Sequence, residues 1–332
     1  PTAKTQEATQ ADPPTTPASP VGSADNPTTN VIKVVNNWVG EAAKELKIRL
    51  SNVNIKVEKK VNKAAMDVSG DGKTKVELDG QNVLDSYRTQ YPAGYRAGLR
   101  KQGEGTLIIT DETNNEGKKI TTPKSESDTS GSLTAKGAGG NGAAGIGGSA
   151  AEGTKNITIE GYATVHATGS GNGAGIGGGF AGNAKNIIIR GHSKVTATTL
   201  GGAAIGGGSA GWSSYYGGSA KGIVICDHAT VAARSDTGDG AAIGAAGYNG
   251  KDTESHVPAP VAGSVTFQVD GIAGGGEPSE HKPEGYDERD NFHADHRIGN
   301  QVNTQNEVDE SSYDIPSPAR DTFPVAKSED DF

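Results

Sequence analysis

Three side chains that can exchange a proton or bind a metal recur at a regular interval in the middle of the chain. Tyr162, His192 and His228 each follow shortly after an apolar run that ends in isoleucine. Two imidazoles and a phenol at equivalent positions can bind a transition metal or take part in acid–base chemistry. The alternative, which this spacing favours, is a stack of rings on the protein surface without a chemical role.

Acidic residues interrupted by glycine indicate a second kind of chemistry. Asp67, Asp71 and Asp79 lie in the segment DVSGDGKTKVELDG, and another acidic loop follows at 111–116. Hard oxygen ligands on a backbone turned by glycine suit Ca²⁺. The spacing matches no EF-hand loop, however, and Asp-Gly is also a common turn dipeptide. The sequence predicts Asp67, Asp71 and Asp79 as candidate Ca²⁺ ligands, with ordinary turns as the alternative.

Aromatic residues form only 5% of the chain, and many of them are concentrated in two groups of loops. Rings on exposed loops stack on the C–H faces of sugars, while their hydroxyl or indole N–H groups bond to sugar hydroxyls. The same rings can instead fold over their own loops and shield a thin sheet. The residues predicted to bind a ligand are Phe180, Trp212, Tyr215, Tyr216 and Tyr248 in the later loops and Tyr87, Tyr91 and Tyr95 in an early one.

The candidate residues are carried by a repeat of three short phrases. An apolar alternation, a second apolar phrase that begins six residues later, and a glycine phrase recur in fixed order. From Ile157 the first phrase returns after 30 residues at Ile187, after 36 more at Ile223, and after about 42 more at Val265. Three strand-like segments per turn are typical of a parallel β-helix, in which each coil adds one strand to each of three sheets.

The glycine phrase predicts the third wall of this helix. The chain has 50 glycines among 332 residues, and 33 of them lie at 131–250. A strand that reads Gly-Ala-Gly-Ile-Gly-Gly presents one inward isoleucine, lets the backbone approach the other sheets, and permits positive φ at its corners. Degenerate coils before and after extend the pattern to six or seven coils. Their segments are 50–55, 76–84, 97–99, 106–109, 133–135 and 265–274.

Composition excludes several other classes of protein. The lone Cys226 excludes a disulfide scaffold, and the glycines do not recur every third residue as in collagen. The shortage of Leu, Phe and Met argues against a Rossmann fold or a TIM barrel. No stretch approaches the roughly 20 apolar residues of a membrane span, so membrane insertion is not expected.

Charge is concentrated at one end of the chain. Residues 277–332 contain 15 acidic and 5 basic residues, a net charge of −10, whereas the whole chain carries −9. Residues 1–276 therefore sum to about +1. A neutral body without a basic stripe argues against a nucleic-acid partner.

The domain organisation predicted from these patterns has four parts. Residues 1–30 form a disordered linker rich in Thr and Pro, of the kind found between domains or between a module and a cell surface. Residues 31–47, with a moderately helical pattern, form an N-terminal cap. Residues 48–276 form an all-β, right-handed parallel β-helix of about six to seven three-stranded coils. Residues 277–332 form an acidic, largely disordered tail.

Segments 50–55, 76–84 and 97–110, together with the Gly-Ala-Gly-Ile-Gly-Gly coils, resemble the secreted right-handed β-helix domains of Gram-positive bacteria. These belong to the pectin-lyase-like architecture and are commonly described as carbohydrate-binding domains. The resemblance covers about 48–276. It implies an extracellular or cell-surface location and a polysaccharide, or a host or cell-wall glycan, as the partner.

Catalysis is not expected from the outward rows of the repeat. Polysaccharide-cleaving β-helices cluster aspartates on one sheet, but here one outward row reads Glu160, Arg190 and Cys226, without stacked carboxylates. The sequence therefore predicts non-catalytic carbohydrate binding, with Ca²⁺ as a candidate structural ion. A polysaccharide lyase or glycoside hydrolase is the alternative, and it would need acids from the insertions at 111–130 and 248–260. A surface spacer without a ligand is the third possibility.

Overall fold

The computed structural model describes residues 27–39, 45–58, 61–86, 96–114, 116–122, 124–125, 128–140, 142–210, 217–235 and 240–246, and the backbone of two further strands at 265–269 and 298–299. Within these residues the chain contains strands and no helix. The strands form three parallel sheets wound into a right-handed β-helix, which confirms the predicted fold class. Six complete coils are followed by two strands of a seventh and one strand of an eighth.

Each complete coil passes through the eight-stranded, the seven-stranded and the six-stranded sheet in turn. In spatial order, the eight-stranded sheet contains β1 (Ile32–Val35), β4 (Met66–Ser69), β7 (Leu99–Lys101), β10 (Ile146–Gly147), β13 (Ile176–Gly177), β16 (Ile205–Gly206), β19 (Ile243–Gly244) and β21 (Ile298–Gly299). The seven-stranded sheet contains β2 (Glu45–Ser51), β5 (Lys73–Asp79), β8 (Leu107–Asp111), β11 (Thr154–Gly161), β14 (Ala184–Ile189), β17 (Ala220–Asp227) and β20 (Val265–Val269). The six-stranded sheet contains β3 (Asn54–Lys56), β6 (Gln81–Asp85), β9 (Ser132–Lys136), β12 (Thr164–Thr168), β15 (Lys194–Thr199) and β18 (Thr230–Ser235).

The core consists of ladders of identical or similar apolar side chains. Ile157 pairs with Ile187, Ile187 with Ile223 and Ile223 with Val265, so the spacings read from the sequence are the true coil lengths. Ile157, Ile187 and Ile223 are fully buried. Because burying one such side chain stabilises a fold by about 1.5–3 kcal/mol, a ladder repeated in each sheet fixes the register of every coil.

The glycine phrase is required by close packing in two directions. A Cβ on Gly177, where φ is +143°, would overlap the carbonyl oxygen of Gly206 in the next coil. A Cβ on Gly175 would lie only 3.0 Å from the Thr198 nitrogen and 3.1 Å from the Ala167 oxygen, both in the six-stranded sheet. The predicted close approach and the predicted positive φ are therefore both present, and the phrase also lets successive coils touch each other.

The helical pattern predicted for 31–47 is wrong. Residues 32–35 form β1, residues 45–51 form β2, and 40–44 lie outside the described residues. The β-branched run Val31, Ile32, Val34, Val35 favours a strand, and pairing with β4 satisfies its backbone. Both strands are outermost in their sheets, so this segment does lie at the end of the stack, where a cap was expected.

The boundaries of the solenoid also differ from those expected. Asp67, one of the predicted Ca²⁺ ligands, lies in strand β4 (Met66–Ser69). Within 277–332, expected to be disordered, Ile298–Gly299 pairs with β19 and extends the eight-stranded sheet. The solenoid therefore recruits at least one strand from beyond residue 276. The remainder of that tail and residues 1–26 lie outside the described residues.

Candidate binding cleft

The strands of the seven-stranded sheet all run in one direction, so their ends define two corners of the solenoid. We call the turns that follow these strands the carboxyl-end corner and the turns that precede them the amino-end corner. At the carboxyl-end corner, the insertion after β8 begins with a hairpin over 112–120. Thr113 and Lys119 form an antiparallel bridge, and the Ile120 N–H donates to the Glu112 oxygen at 2.7 Å. Asn114 Oδ1 closes the tip by accepting from two N–H groups.

Side chains of the two preceding coils fasten this hairpin to the sheet. Glu77 Oε1 accepts from the Glu112 N–H at 2.9 Å and from both the N–H and the hydroxyl of Thr113 at 2.7 Å. Arg49 donates to Thr113 Oγ1 at 2.6 Å, and Lys75 Nζ lies 2.9 Å from both Glu112 carboxylate oxygens. The hairpin is thus held by charge-assisted hydrogen bonds, the stronger class of hydrogen bond in proteins.

A cleft of about 760 Å³ lies between the hairpin, the segment that follows it and the turn at the end of β5. Its lining is rich in hydroxyl, amide and carboxyl groups and contains no aromatic ring among the described residues. The lining residues are Ser51, Asn52, Asp79, Gly80, Asp111, Thr113, Asn114, Lys119, Ile120, Thr121, Thr122, Lys124, Ser125, Asp128, Ser130 and Gly131.

Two carboxyl groups in this cleft have opposite environments. The Asp111 side chain is 2% exposed and contacts Lys124 Nζ, which also donates to the Ser130 oxygen at 2.7 Å. Burial raises the pKa of Asp111 to about 6, although the Lys124 ammonium opposes this shift. Hydrogen bonds from Ser130 lower the pKa of the exposed Asp128. Environments that separate two carboxyl pKa values are also how enzymes assign acid and base roles.

The ladder of Tyr162, His192 and His228 lies beside the cleft. The Tyr162 N–H donates to the Asp111 oxygen at 2.9 Å. The centroids of Tyr162 and His192 are 5.1 Å apart and those of the two histidines 4.8 Å apart, with interplanar angles of 4° and 12°. The predicted equivalence of the three positions is therefore confirmed. Parallel rings at this spacing do not converge on one point, as metal coordination at about 2 Å requires, so the geometry favours the surface stack.

Only one of the eight aromatic residues predicted to bind a ligand lies in the described part of the chain. Phe180 is half-buried in the turn between β13 and β14, where its N–H donates to the Gly142 oxygen and its oxygen accepts from the Ala151 N–H, both at 2.9 Å. It does not line the cleft. Outside the described residues lie Trp212, Tyr215, Tyr216, Tyr248, Tyr87, Tyr91 and Tyr95.

The three aspartates predicted to bind Ca²⁺ do not form one group. Asp67 accepts from Arg100 Nη1 at 3.1 Å, Asp71 from the Glu104 N–H at 3.1 Å, and Asp79 from the Ser51 hydroxyl at 3.1 Å. Nowhere in the described segments do three or more His, Cys, Asp or Glu side chains converge as a metal site requires. Asp79 lines the cleft, while Ca²⁺ binding by the three stays a prediction.

The outward row of the seven-stranded sheet is paired rather than free. Glu160 accepts from Arg190 Nε at 2.9 Å and from its Nη2 at 2.5 Å. Cys226, which was expected to face outward, is 2% exposed, and burial raises the pKa of its thiol to about 11. This row therefore offers neither a reactive thiolate nor an unpaired carboxylate. The acids of the cleft come from elsewhere, and the acid-rich insertion at 111–130 was the one signal for them in the sequence.

Comparison with protein families, with curated proteins and with solved structures finds no match for this chain. Among the described residues, no helix has the length and apolar character that crossing a membrane requires. The cleft itself therefore carries the functional interpretation.

Proposed function

We propose that this chain is an extracellular or cell-surface β-helix module that binds carbohydrate in the cleft at its carboxyl-end corner. The observation that carries this proposal is the lining, in which hydroxyl, amide, carboxylate and ammonium groups face one polar space of about 760 Å³. Sugars present closely spaced hydroxyls, and each can donate and accept a hydrogen bond. The resemblance to secreted β-helix domains of Gram-positive bacteria supports the same class of ligand.

The anchoring of the hairpin suits recognition without rearrangement. Glu77, Arg49 and Lys75 hold its base before any ligand arrives. A loop that is already ordered loses little conformational entropy on binding, so more of the interaction energy appears as affinity. Thr121, Thr122 and Asp128 are exposed at the rim of the cleft, where their polar atoms can reach sugar hydroxyls.

Glycoside hydrolysis is a second candidate, favoured by the opposed pKa shifts of Asp111 and Asp128. Asp111, with a pKa of about 6, would donate a proton to the leaving oxygen, and ionised Asp128 would activate water or attack the sugar. Because the acid must be protonated, hydrolysis would decline as the pH rises above 6.

A glycan microarray, followed by calorimetry and a reducing-sugar assay on the hits, tests both candidates. We expect binding without product, and we expect T121A/T122A to raise Kd at least about tenfold, since two lost hydrogen bonds of about 1 kcal/mol each exceed the 1.4 kcal/mol of a tenfold change. The matched control is T196A, a threonine on the outer face of the six-stranded sheet. Product that disappears in D111N and in D128N would establish hydrolysis instead. If the assays detect neither binding nor product, both candidate functions are contradicted and a surface spacer without a ligand remains.

A further inference from the structure

Three successive coils each place one lysine at the amino-end corner. Lys155 pairs in register with Lys185, and Lys185 with Lys221, in three successive coils of the seven-stranded sheet. Since neighbouring strands are about 4.8 Å apart, the three lysines follow a line of about 10 Å along the solenoid axis. This is a basic stripe on a body of almost zero net charge. The sequence analysis argued against a nucleic-acid partner because no basic stripe was recognised. The stripe is present, so that argument no longer holds.

A groove of about 350 Å³ runs beside this stripe. Its walls come from the turns before β8, β11 and β14, and it contains a fourth lysine, Lys101, which is 2% exposed. The lining residues are Lys101, Gln102, Gly103, Gly153, Thr154, Lys155, Asn183 and Lys185. The cleft lies at the carboxyl ends of β2, β5 and β8, whereas the groove lies at the amino ends of β8, β11 and β14. Among the described residues the two surfaces share no lining residue.

The positive charges of the groove are only partly neutralised. Lys155 Nζ contacts the Glu104 carboxylate. Lys101 Nζ donates to the Gln102 and Gly103 backbone oxygens at 3.1 and 3.0 Å, which are neutral acceptors. Within the described residues, Lys101, Lys185 and Lys221 form no ion pair. A buried ammonium without a carboxylate is unfavourable, and a bound anion would relieve that penalty.

We infer that this groove binds a linear acidic polysaccharide, with the lysine stripe contacting carboxylate or sulfate groups spaced along the sugar chain. The inference does not rest on the function proposed for the cleft, because different residues form the two sites. It adds a second ligand surface whose specificity is for charge rather than for hydroxyl pattern.

The lining favours this ligand over a nucleic acid. Lysine ammonium groups act as point charges and lack the planar fork with which arginine binds a phosphate in two places. Single-stranded nucleic acids are held by bases stacked on aromatic side chains, and the described residues of the lining include neither an aromatic ring nor an arginine. Polar groups of Gln102, Asn183 and Gly153 also line the groove. The Gln102 amide donates to Glu152 Oε1 at 3.2 Å and Asn183 Oδ1 accepts from the Ser219 N–H at 2.7 Å, which leaves the Asn183 side-chain N–H groups as donors for sugar hydroxyls.

Lys101 gives the binding a pH dependence. Burial lowers the pKa of Lys101 to about 8, Lys155 acts in the same direction, and Glu104 and Asp71 oppose it. A bound anion favours the charged amine, so binding is accompanied by proton uptake near pH 8. Affinity therefore falls as the pH rises from 7 to 9, and K101M, which replaces the amine with an apolar chain, removes that dependence.

Calorimetry of the whole chain with dextran sulfate and polygalacturonate as probes tests the inference, with uncharged dextran and polyphosphate in parallel. We expect binding of one or both acidic polysaccharides, weakened by salt, and at least about a tenfold loss in K185E/K221E. The matched control is K194E, which reverses an exposed lysine of the same coil on the six-stranded sheet. Its affinity should stay within about twofold of wild type.

Four results would overturn the inference. These are no binding of either acidic polysaccharide, equal binding of uncharged dextran, binding of polyphosphate alone, and an equal loss in K194E and K185E/K221E. An equal loss in K194E and K185E/K221E would mean that the polysaccharide is attracted to any positive charge on the surface rather than to this groove. The proposal that the cleft binds carbohydrate is tested separately with T121A/T122A, because these substitutions leave the lysine groove unchanged.

Discussion

The two corners of the seven-stranded sheet differ in how the sequence builds them. The amino-end groove arises by repetition, because three successive coils each supply one lysine in register. The carboxyl-end cleft arises from one insertion, since among the described turns of this corner only the one after β8 carries a hairpin, at 112–120. Repetition produces a linear surface with a constant spacing, suited to a ligand that also repeats. An insertion produces a single local site with unique partners, such as the pair of Asp111 and Lys124.

The largest effect is expected from a change that removes both corners together. In G177A the new Cβ would overlap the Gly206 oxygen at a backbone φ of +143°, so neighbouring coils must separate. We expect a loss of at least about 3 kcal/mol of stability, or no folded protein, measured by urea unfolding followed by circular dichroism. G140A is the control, because nothing lies within 4 Å of its Cβ position. Equal stability of the two variants would refute the packing described for the glycine phrase.

A smaller effect, confined to the carboxyl-end corner, is expected from K124M. The change leaves the Asp111 carboxylate, 2% exposed, without its ammonium, and breaking a buried pair in this way destabilises a protein by about 3 kcal/mol. D111N/K124M should recover most of that loss, because no unpaired charge remains. Urea unfolding measures both variants, and dextran sulfate affinity should be unchanged in both. A K124M as stable as wild type would show that the pair contributes nothing.

The hairpin alone is the target of E77A. Glu77 accepts three hydrogen bonds from the hairpin base, so its removal should lower stability by about 1–2 kcal/mol and expose 112–120 to protease. E77Q, whose Oε1 can still accept all three, should resist cleavage nearly as well as wild type. Limited proteolysis read by mass spectrometry measures this. Identical cleavage of E77A and wild type would mean that Glu77 does not hold the hairpin.

The sequence predicted the repetitive part of the molecule well and the inserted part poorly. The seven-stranded sheet can be recognised in the sequence because an inward isoleucine recurs in successive coils, at Ile157, Ile187 and Ile223. One such position per coil is enough to define the register. Asp111 and Asp128, 17 positions apart, share a cleft only because Glu77 and Arg49, from two earlier coils, fix the hairpin. Such contacts have no periodic signal. The lysine stripe was present in the repeat, but it lies one residue outside the apolar phrase used to align the coils.

The smallest effect is expected from the ring ladder, which lies beside the cleft. Burial and the neighbouring His228 lower the pKa of His192, although Asp227 opposes the shift. The unfolded chain therefore binds more protons than the folded one just below pH 6.5, and stability falls as the pH drops through that range. In H192N, Tm should decline less between pH 7.5 and 5 than in wild type. H166N, an exposed histidine of the six-stranded sheet, is the control. Equal pH slopes in H192N and wild type would contradict the assignment.

The comparison of the two corners is tested most directly by one calorimetric titration of the best glycan hit, performed with and without saturating dextran sulfate. If the corners are separate sites, dextran sulfate leaves the glycan Kd unchanged in wild type, and T121A/T122A raises it at least about tenfold under both conditions. Displacement of the glycan by dextran sulfate, or an unchanged Kd in T121A/T122A, would contradict the assignment of carbohydrate binding to the carboxyl-end cleft.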